Sequence, residues 1–144
     1  MYRLRCTARL LTRLKVAPER EPIETGTLLG DWYANLVHVG RTPLVLCVSD
    51  RTLLPVVLRA QDLRSIVPRL AERVGQVLRA IGAPADAIDR ELAAMKDATI
   101  CRTASRRVLG SMTDFVFMMT AYTKGELNAD DALVELAVWL AEAP

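Results

Sequence analysis

WYANLVHV (residues 32–39), LVLCVS (44–49) and LLPVVLR (53–59) are three apolar runs separated only by GRTP (40–43) and DRT (50–52). Each run has strand length and is rich in Val, Leu and aromatic side chains, and each break holds turn-forming residues. Breaks this short cannot carry a parallel crossover, so the spacing predicts an antiparallel meander of Trp32–Val39, Leu44–Ser49 and Leu53–Arg59. Pro55 has no N–H to donate, which places the third strand at a sheet edge or shortens it. The rival reading of the first run is a helix over residues 27–36.

Working outward, Tyr2, Leu4 and Cys6 alternate with Arg3, Arg5 and Thr7, the two-residue period of a strand. Thr7 is placed to cap a helix through about Lys15 whose inner face is Leu10, Leu11 and Leu14. Residues 17–27 (APEREPIETGT) read as a solvated loop. Downstream, Leu70, Val74, Val77, Leu78 and Ile81 form a helical stripe ended by Gly82, with Arg69, Glu72, Arg73, Gln76 and Arg79 facing out. Pro84 suits the first turn of the next helix, whose inner face is Ile88, Leu92 and Met95. Residues 98–103 (ATICRT) have the composition of a fifth strand. Helices over about 105–123 and 129–142 follow, the last capped by Asn128 with Asp130 and Asp131 in its first turn. The predicted class is α+β: a small antiparallel sheet, built from the meander, the N-terminal strand and the fifth, packed with about five helices.

The chain has 144 residues, 51% of them hydrophobic, and a formal net charge of +2, which fits one domain spanning residues 1–144 with a core of its own. Disordered and collagen-like chains are excluded on the same grounds. No run of about 18 apolar residues is present, so no membrane-spanning helix is expected. The basic opening MYRLRCTARLLTRLK has the composition of a transit peptide, but its alternation argues for a structured strand. Cys6, Cys47 and Cys101 are odd in number and far apart, which points to buried reduced thiols in a cytoplasmic protein. Neither metal-ligand spacing nor a phosphate-binding glycine loop occurs, so no metal and no cofactor are expected.

Three places carry polar groups that can do chemistry. In the helix over 105–123, Arg107, Ser111 and Asp114 share a stripe beside Gly110, whose missing side chain admits another backbone or a ligand. Phe117 and Met118 are apolar outside the core stripe of Val108, Met112, Phe115 and Met119. The second half of that helix therefore reads as buried nearly all round, and Asp114 as partly desolvated. Next, Asp31 and Asn35 share a face whether residues 31–35 are strand or helix, with Tyr33 between them and Arg41 following. These residues define a pocket hypothesis in which arginines hold a phosphate and Asp31 or Asp114 acts as base. The alternative is structural, with Asp31 holding a strand-start turn. His38 lies in an apolar stretch and reads as a packed histidine. The third place is basic: Arg3, Arg5, Arg9, Arg13 and Lys15 form a candidate phosphate-binding cluster, without interleaved aromatic residues.

LLGDWYANLVHVGR (28–41), TLLP (52–55) and CRTASRRVLGSMTDF (101–115) resemble the signature blocks, LGDWYANL and RxVLGSMNDF, of an uncharacterised bacterial family, a domain of unknown function. Asparagine is typical of that pattern where this chain has Ser105 and Thr113. A ligand bond made by an amide at 113 is therefore not available here. The resemblance assigns no activity; it directs attention to Asp31, Trp32, Asn35, Arg41, Arg106, Gly110, Ser111 and Asp114.

Three functions are weighed. The leading one is a small non-catalytic interaction or regulatory module, self-associating through apolar surface on the last helix (Val134, Val138 and Trp139 beside the stripe Leu133, Leu136, Leu140) or binding a protein partner. The second is a phosphoester-type enzyme or ligand binder using the polar pocket. The third is a nucleic-acid binder using the basic N-terminus.

Overall fold

A computed structural model describes residues 1–20, 25–122, 127 and 129–142. The chain runs β1 (Tyr2–Cys6), α1 (Ala8–Leu14), β2 (Trp32–Val39), β3 (Thr42–Ser49), β4 (Pro55–Arg59), α2 (Ile66–Ala80), α3 (Ala85–Ala94), β5 (Ala98–Arg102), α4 (Arg106–Ala121) and α5 (Asp130–Glu142). The fold class is α+β, and the five strands form one sheet in the order β4-β3-β2-β1-β5. The meander is antiparallel, in register from Trp32↔Ser49 to Val39↔Thr42 and from Leu44↔Arg59 to Val48↔Pro55. The outer pair corrects the expectation of a wholly antiparallel sheet: β1 lies parallel to both β2 and β5. The reason is the length of the links. A long segment containing α1 joins β1 to β2, and α2 and α3 precede β5, so the chain returns to the same end of the sheet each time.

Local chemistry explains the strand borders. Gly40 and Arg41 form a two-residue hairpin loop closed by Val39↔Thr42, with Gly40 at φ 61°, the left-handed conformation that the first position of a type II′ turn demands. The helix reading of 27–36 fails because Gly30 (φ 83°) breaks the chain just before β2. Pro55 opens β4, which is an edge strand, and the strand starts later than predicted because Leu53 is left-handed (φ 59°) and belongs to the turn. Thr7 caps α1 as expected, its hydroxyl accepting from the Leu10 N–H. The Asn128 cap and residues 21–24 of the first loop lie outside the described residues.

The sheet is covered on both faces. Tyr2, Leu4, Cys6, Trp32, Ala34, Leu36, Cys47, Val56 and Leu58 pack on one side against α1, α2 and α3. Tyr33, Val37, Leu44, Leu46, Val48 and Val57 pack on the other against α4 and α5. α5 also touches β4 and α2, so it closes the β4 edge. That docking corrects the reading of Arg73 as outward. The guanidinium is buried, donating to the Asp130 carboxylate (2.8 Å) and main-chain oxygen (3.1 Å) at the start of α5. The three cysteines are buried. α4 departs from expectation in the other direction. Only Val108, Met112 and Met119 are buried, and Phe117 is 78% exposed, because no further layer among the described residues covers the helix.

Candidate functional site: two grooves flanking one helix

Asp31, the acid preceding β2, is consumed by the fold. Its Oδ1 accepts from the Arg3 main-chain N–H (2.9 Å) and from the Thr25 hydroxyl. Its Oδ2 meets Arg3 Nη1 at 3.0 Å and Arg5 Nε at 3.7 Å, and the side chain is 5% exposed. Arg5 also donates to the Arg102 carbonyl (2.8 Å) and lies over the Tyr33 ring. Two of the five predicted phosphate-binding cations, Arg3 and Arg5, are therefore clamps between β1, β2 and β5. Arg9, Arg13 and Lys15 remain exposed on and after α1.

The predicted polar pocket does not assemble as one site. Asn35 accepts at Oδ1 from the Thr7 hydroxyl (2.7 Å) at the end of β1. Arg41 stands exposed on the hairpin tip, and Arg106 is exposed at the start of α4. Arg107 donates to the Asp50 carbonyl (2.6 Å), tying α4 to the turn after β3. His38 is exposed near the end of β2, not packed. Asp114 is exposed as well, not desolvated, because α4 is an outer helix. The space around Gly110 is open: a Cβ built there meets nothing within 4 Å.

The structure instead sorts α4 into two flanks. Its rotation is fixed at the N-terminus, where Ser105 caps the helix and donates its main-chain N–H to the Tyr33 hydroxyl (2.8 Å) on β2. Ser111, Asp114, Phe115 and Met118, at i, i+3, i+4 and i+7, face one way. They line a groove of about 540 Å³ whose other walls are Leu29, the turn Thr52–Pro55, Leu78 and Ile81 of α2 and its cap, and Leu140 and Ala141 of α5. Among the described residues of that lining Asp114 is the only charged one, and the rest are apolar apart from Thr52 and Ser111. Two of the stretches that carry the family resemblance, 52–55 and 101–115, thus meet here.

Leu109, Met112, Thr113 and Val116 repeat the same spacing on the opposite flank. They line a second groove, of about 430 Å³, with Arg9 and residues 35–38. The Thr113 hydroxyl is turned back to its own helix, donating to the Leu109 carbonyl (3.1 Å).

Electrostatics distinguish the turn at Asp50. Burial, and then the neighbouring Asp31 charge, push the Asp50 carboxyl above its ordinary value, although the Asp31 N–H donated to it (3.0 Å) works the other way. Burial and the nearby Cys101 thiol push Cys6 up to about 12, and burial raises Cys47 as well, so neither is a ready nucleophile. Among the described residues no group of three or more His, Cys, Asp or Glu is placed to hold a metal ion.

Sequence reasoning missed Glu91. This buried carboxylate accepts from the main-chain N–H groups of Leu28 (2.7 Å) and Leu29 (2.9 Å), and so anchors the approach to β2 from α3. The available signal was its place within the inner stripe Ile88–Met95, where an acid needs a partner.

Fold and side-chain arrangement together define an α+β domain with a mixed five-stranded sheet and an outer helix flanked by two grooves. The chain belongs to DUF6933, a domain of unknown function, which it matches over residues 3–144. No curated protein and no solved structure matches it. No helix among the described residues is long and apolar enough to cross a membrane.

Proposed function

We propose that the protein is a non-catalytic interaction module that receives an apolar protein segment in the groove beside Ser111 and Asp114. The observation that carries this reading is the lining. Leu53, Leu54, Pro55, Phe115 and Met118 make an apolar trough with one carboxylate, Asp114, which has no ion pair in the described structure. Such a trough favours a segment with apolar side chains and one lysine or arginine. Selection of short displayed peptides on the intact protein tests it. The expected consensus pairs apolar residues with one basic residue, and Asp114→Lys abolishes binding while leaving the melting temperature unchanged. Peptides without a basic residue, or binding indifferent to Asp114→Lys, refute it.

Self-association is favoured by a separate surface. On α5, Leu133, Leu136 and Leu140 are buried and Val134 packs on the core, while Trp139 leans on Tyr122 (ring centroids 5.1 Å apart). Phe117 on α4, 78% exposed, is the most exposed of the large apolar side chains described, and Trp139 stays 38% exposed. Light scattering of the wild type and Phe117→Ser tests this: a dimer that the substitution dissociates supports it, and a monomeric wild type refutes it.

A further inference from the structure

The second groove exists because the sheet is uneven. β1 ends at Cys6, opposite Ala34, while β2 continues to Val39, so residues 35–39 have no strand beside them on that side. α1 starts above this notch and α4 passes below it. The floor is apolar, from Val37, Leu109, Met112 and Val116. Its described polar residues are Arg9, Asn35, His38 and Thr113, the last with its O–H turned back to the Leu109 carbonyl. Arg9 brings a guanidinium and Asn35, on the same face of β2 as Val37, an amide, whereas His38 alternates to the opposite face with Leu36. The Asn35 oxygen is occupied by the Thr7 hydroxyl, which leaves its NH₂ as the free end. No hydrogen bond or ion pair engages the Arg9 side chain within the described structure, and no carboxylate is among the described residues lining the groove. A cluster of donors with one fixed positive charge over an apolar floor selects an anion with an apolar body.

We infer that this notch binds a small carboxylic acid, its carboxylate on Arg9 with the Asn35 amide as a further donor, and its hydrocarbon part on Val37, Leu109, Met112 and Val116. The planar guanidinium fork matches a carboxylate. One fixed cation balances a monoanion, whereas a phosphate monoester would bring about one and a half to two negative charges. The volume of about 430 Å³ is that of a small-molecule pocket. This site is separate from the Asp114 groove and does not depend on the role proposed for it.

The test is titration of the full chain with octanoate, followed by amide chemical shifts. The expected result is saturable binding that shifts residues 35–38 and 109–116. Arg9→Gln, a change at an exposed position that the fold does not need, weakens binding roughly ten- to a hundredfold. Asp114→Asn, in the other groove, leaves it unchanged. Octylamine and octanol, which share the chain without the anion, bind at least tenfold more weakly. The inference is overturned by the absence of saturable binding at millimolar octanoate, by equal binding of octylamine or octanol, or by an Arg9→Gln variant that binds octanoate as well as wild type. Tighter binding of octyl phosphate than of octanoate overturns the choice of a carboxylate.

Discussion

Replacing Asp31 separates a structural clamp from a functional carboxylate, because the two roles predict opposite stabilities. Asp31→Ala removes the acceptor of the Arg3 main-chain N–H and the Thr25 hydroxyl, together with the anion facing Arg3 and Arg5. An unsatisfied buried N–H costs about 1–3 kcal/mol. Stripping the partner from a buried cation costs up to about 3–5 kcal/mol. The sum is smaller than these figures suggest, because Arg3 is 21% exposed and reaches water, and Arg5 keeps the Arg102 carbonyl. A total of about 3–5 kcal/mol remains, a large share of the roughly 5–15 kcal/mol that stabilises an ordinary domain. Asp31→Asn keeps an oxygen for the Arg3 N–H but loses the charge, and is expected near half that loss. Urea unfolding followed by fluorescence reads this directly, because Trp32, adjacent in sequence, is fully buried. The expected order of midpoints is wild type, Asp31→Asn, Asp31→Ala. A native-like midpoint for Asp31→Ala, within about 0.5 kcal/mol, would refute the clamp and return Asp31 to the list of functional acids.

Gly30→Ala should lower the melting temperature by about 4–8 °C. The left-handed φ costs a side chain about 1–2 kcal/mol, and the added Cβ would lie 2.0 Å from Asp50 Oδ1; a shift inside experimental error contradicts this. Asp50→Asn tests the raised carboxyl. A group whose folded value is raised stabilises below its ordinary value of 3.8 and loses that contribution as pH rises through the folded value. The asparagine variant, which retains an oxygen for the Asp31 N–H, should therefore gain on wild type between pH 3 and 7, and a loss over that interval in paired urea titrations sinks the reasoning. Cys6, Cys47 and Cys101 should stay silent towards a thiol reagent at pH 8 in the native protein and all react in denaturant; rapid native labelling contradicts the burial.

How far the sequence reaches is visible at three points. The meander was legible because strand period, turn residues and Pro55 all favoured one arrangement. The parallel pairing of β1 was not, since alternation at Tyr2, Leu4 and Cys6 reports a strand but not its neighbour. Which strand lies beside β1 is settled by the register Leu4↔Trp32, reached only after the chain has passed through α1. The candidate site was legible as residue types and mislocated in space. Asp31 and Asn35 do share a face, as the two-residue period requires. Yet Asp31 spends its oxygens on Arg3, Arg5 and Thr25, and Asn35 spends its own on Thr7. Long-range partners of this kind leave no trace in local spacing, and the same holds for Glu91 and the N–H groups of Leu28 and Leu29.

α4 shows why such partners decide function as well as stability. Its apolar content suggested a buried helix, yet a helix packed on one sheet face leaves two flanks and a crest outside. Residues three and four apart fall on the same flank, so the segment 109–118 divides into a stripe ending in Met118 that carries Asp114 and a stripe ending in Val116 that carries no acid. Which stripe meets which wall is set by the rotation of the helix, held by the buried Val108, Met112 and Met119 and by the bond between the Ser105 N–H and the Tyr33 hydroxyl. A rotation of α4 by one residue, about 100°, would move Asp114 away from the turn Thr52–Pro55 and turn the apolar floor of the second groove away from Arg9. The two grooves are therefore not independent accidents of the surface. Both depend on the seating of α4, to which the bond between its cap and Tyr33 contributes beside the buried Val108, Met112 and Met119, and Tyr33 is part of the same LGDWYANL block that precedes them in the chain.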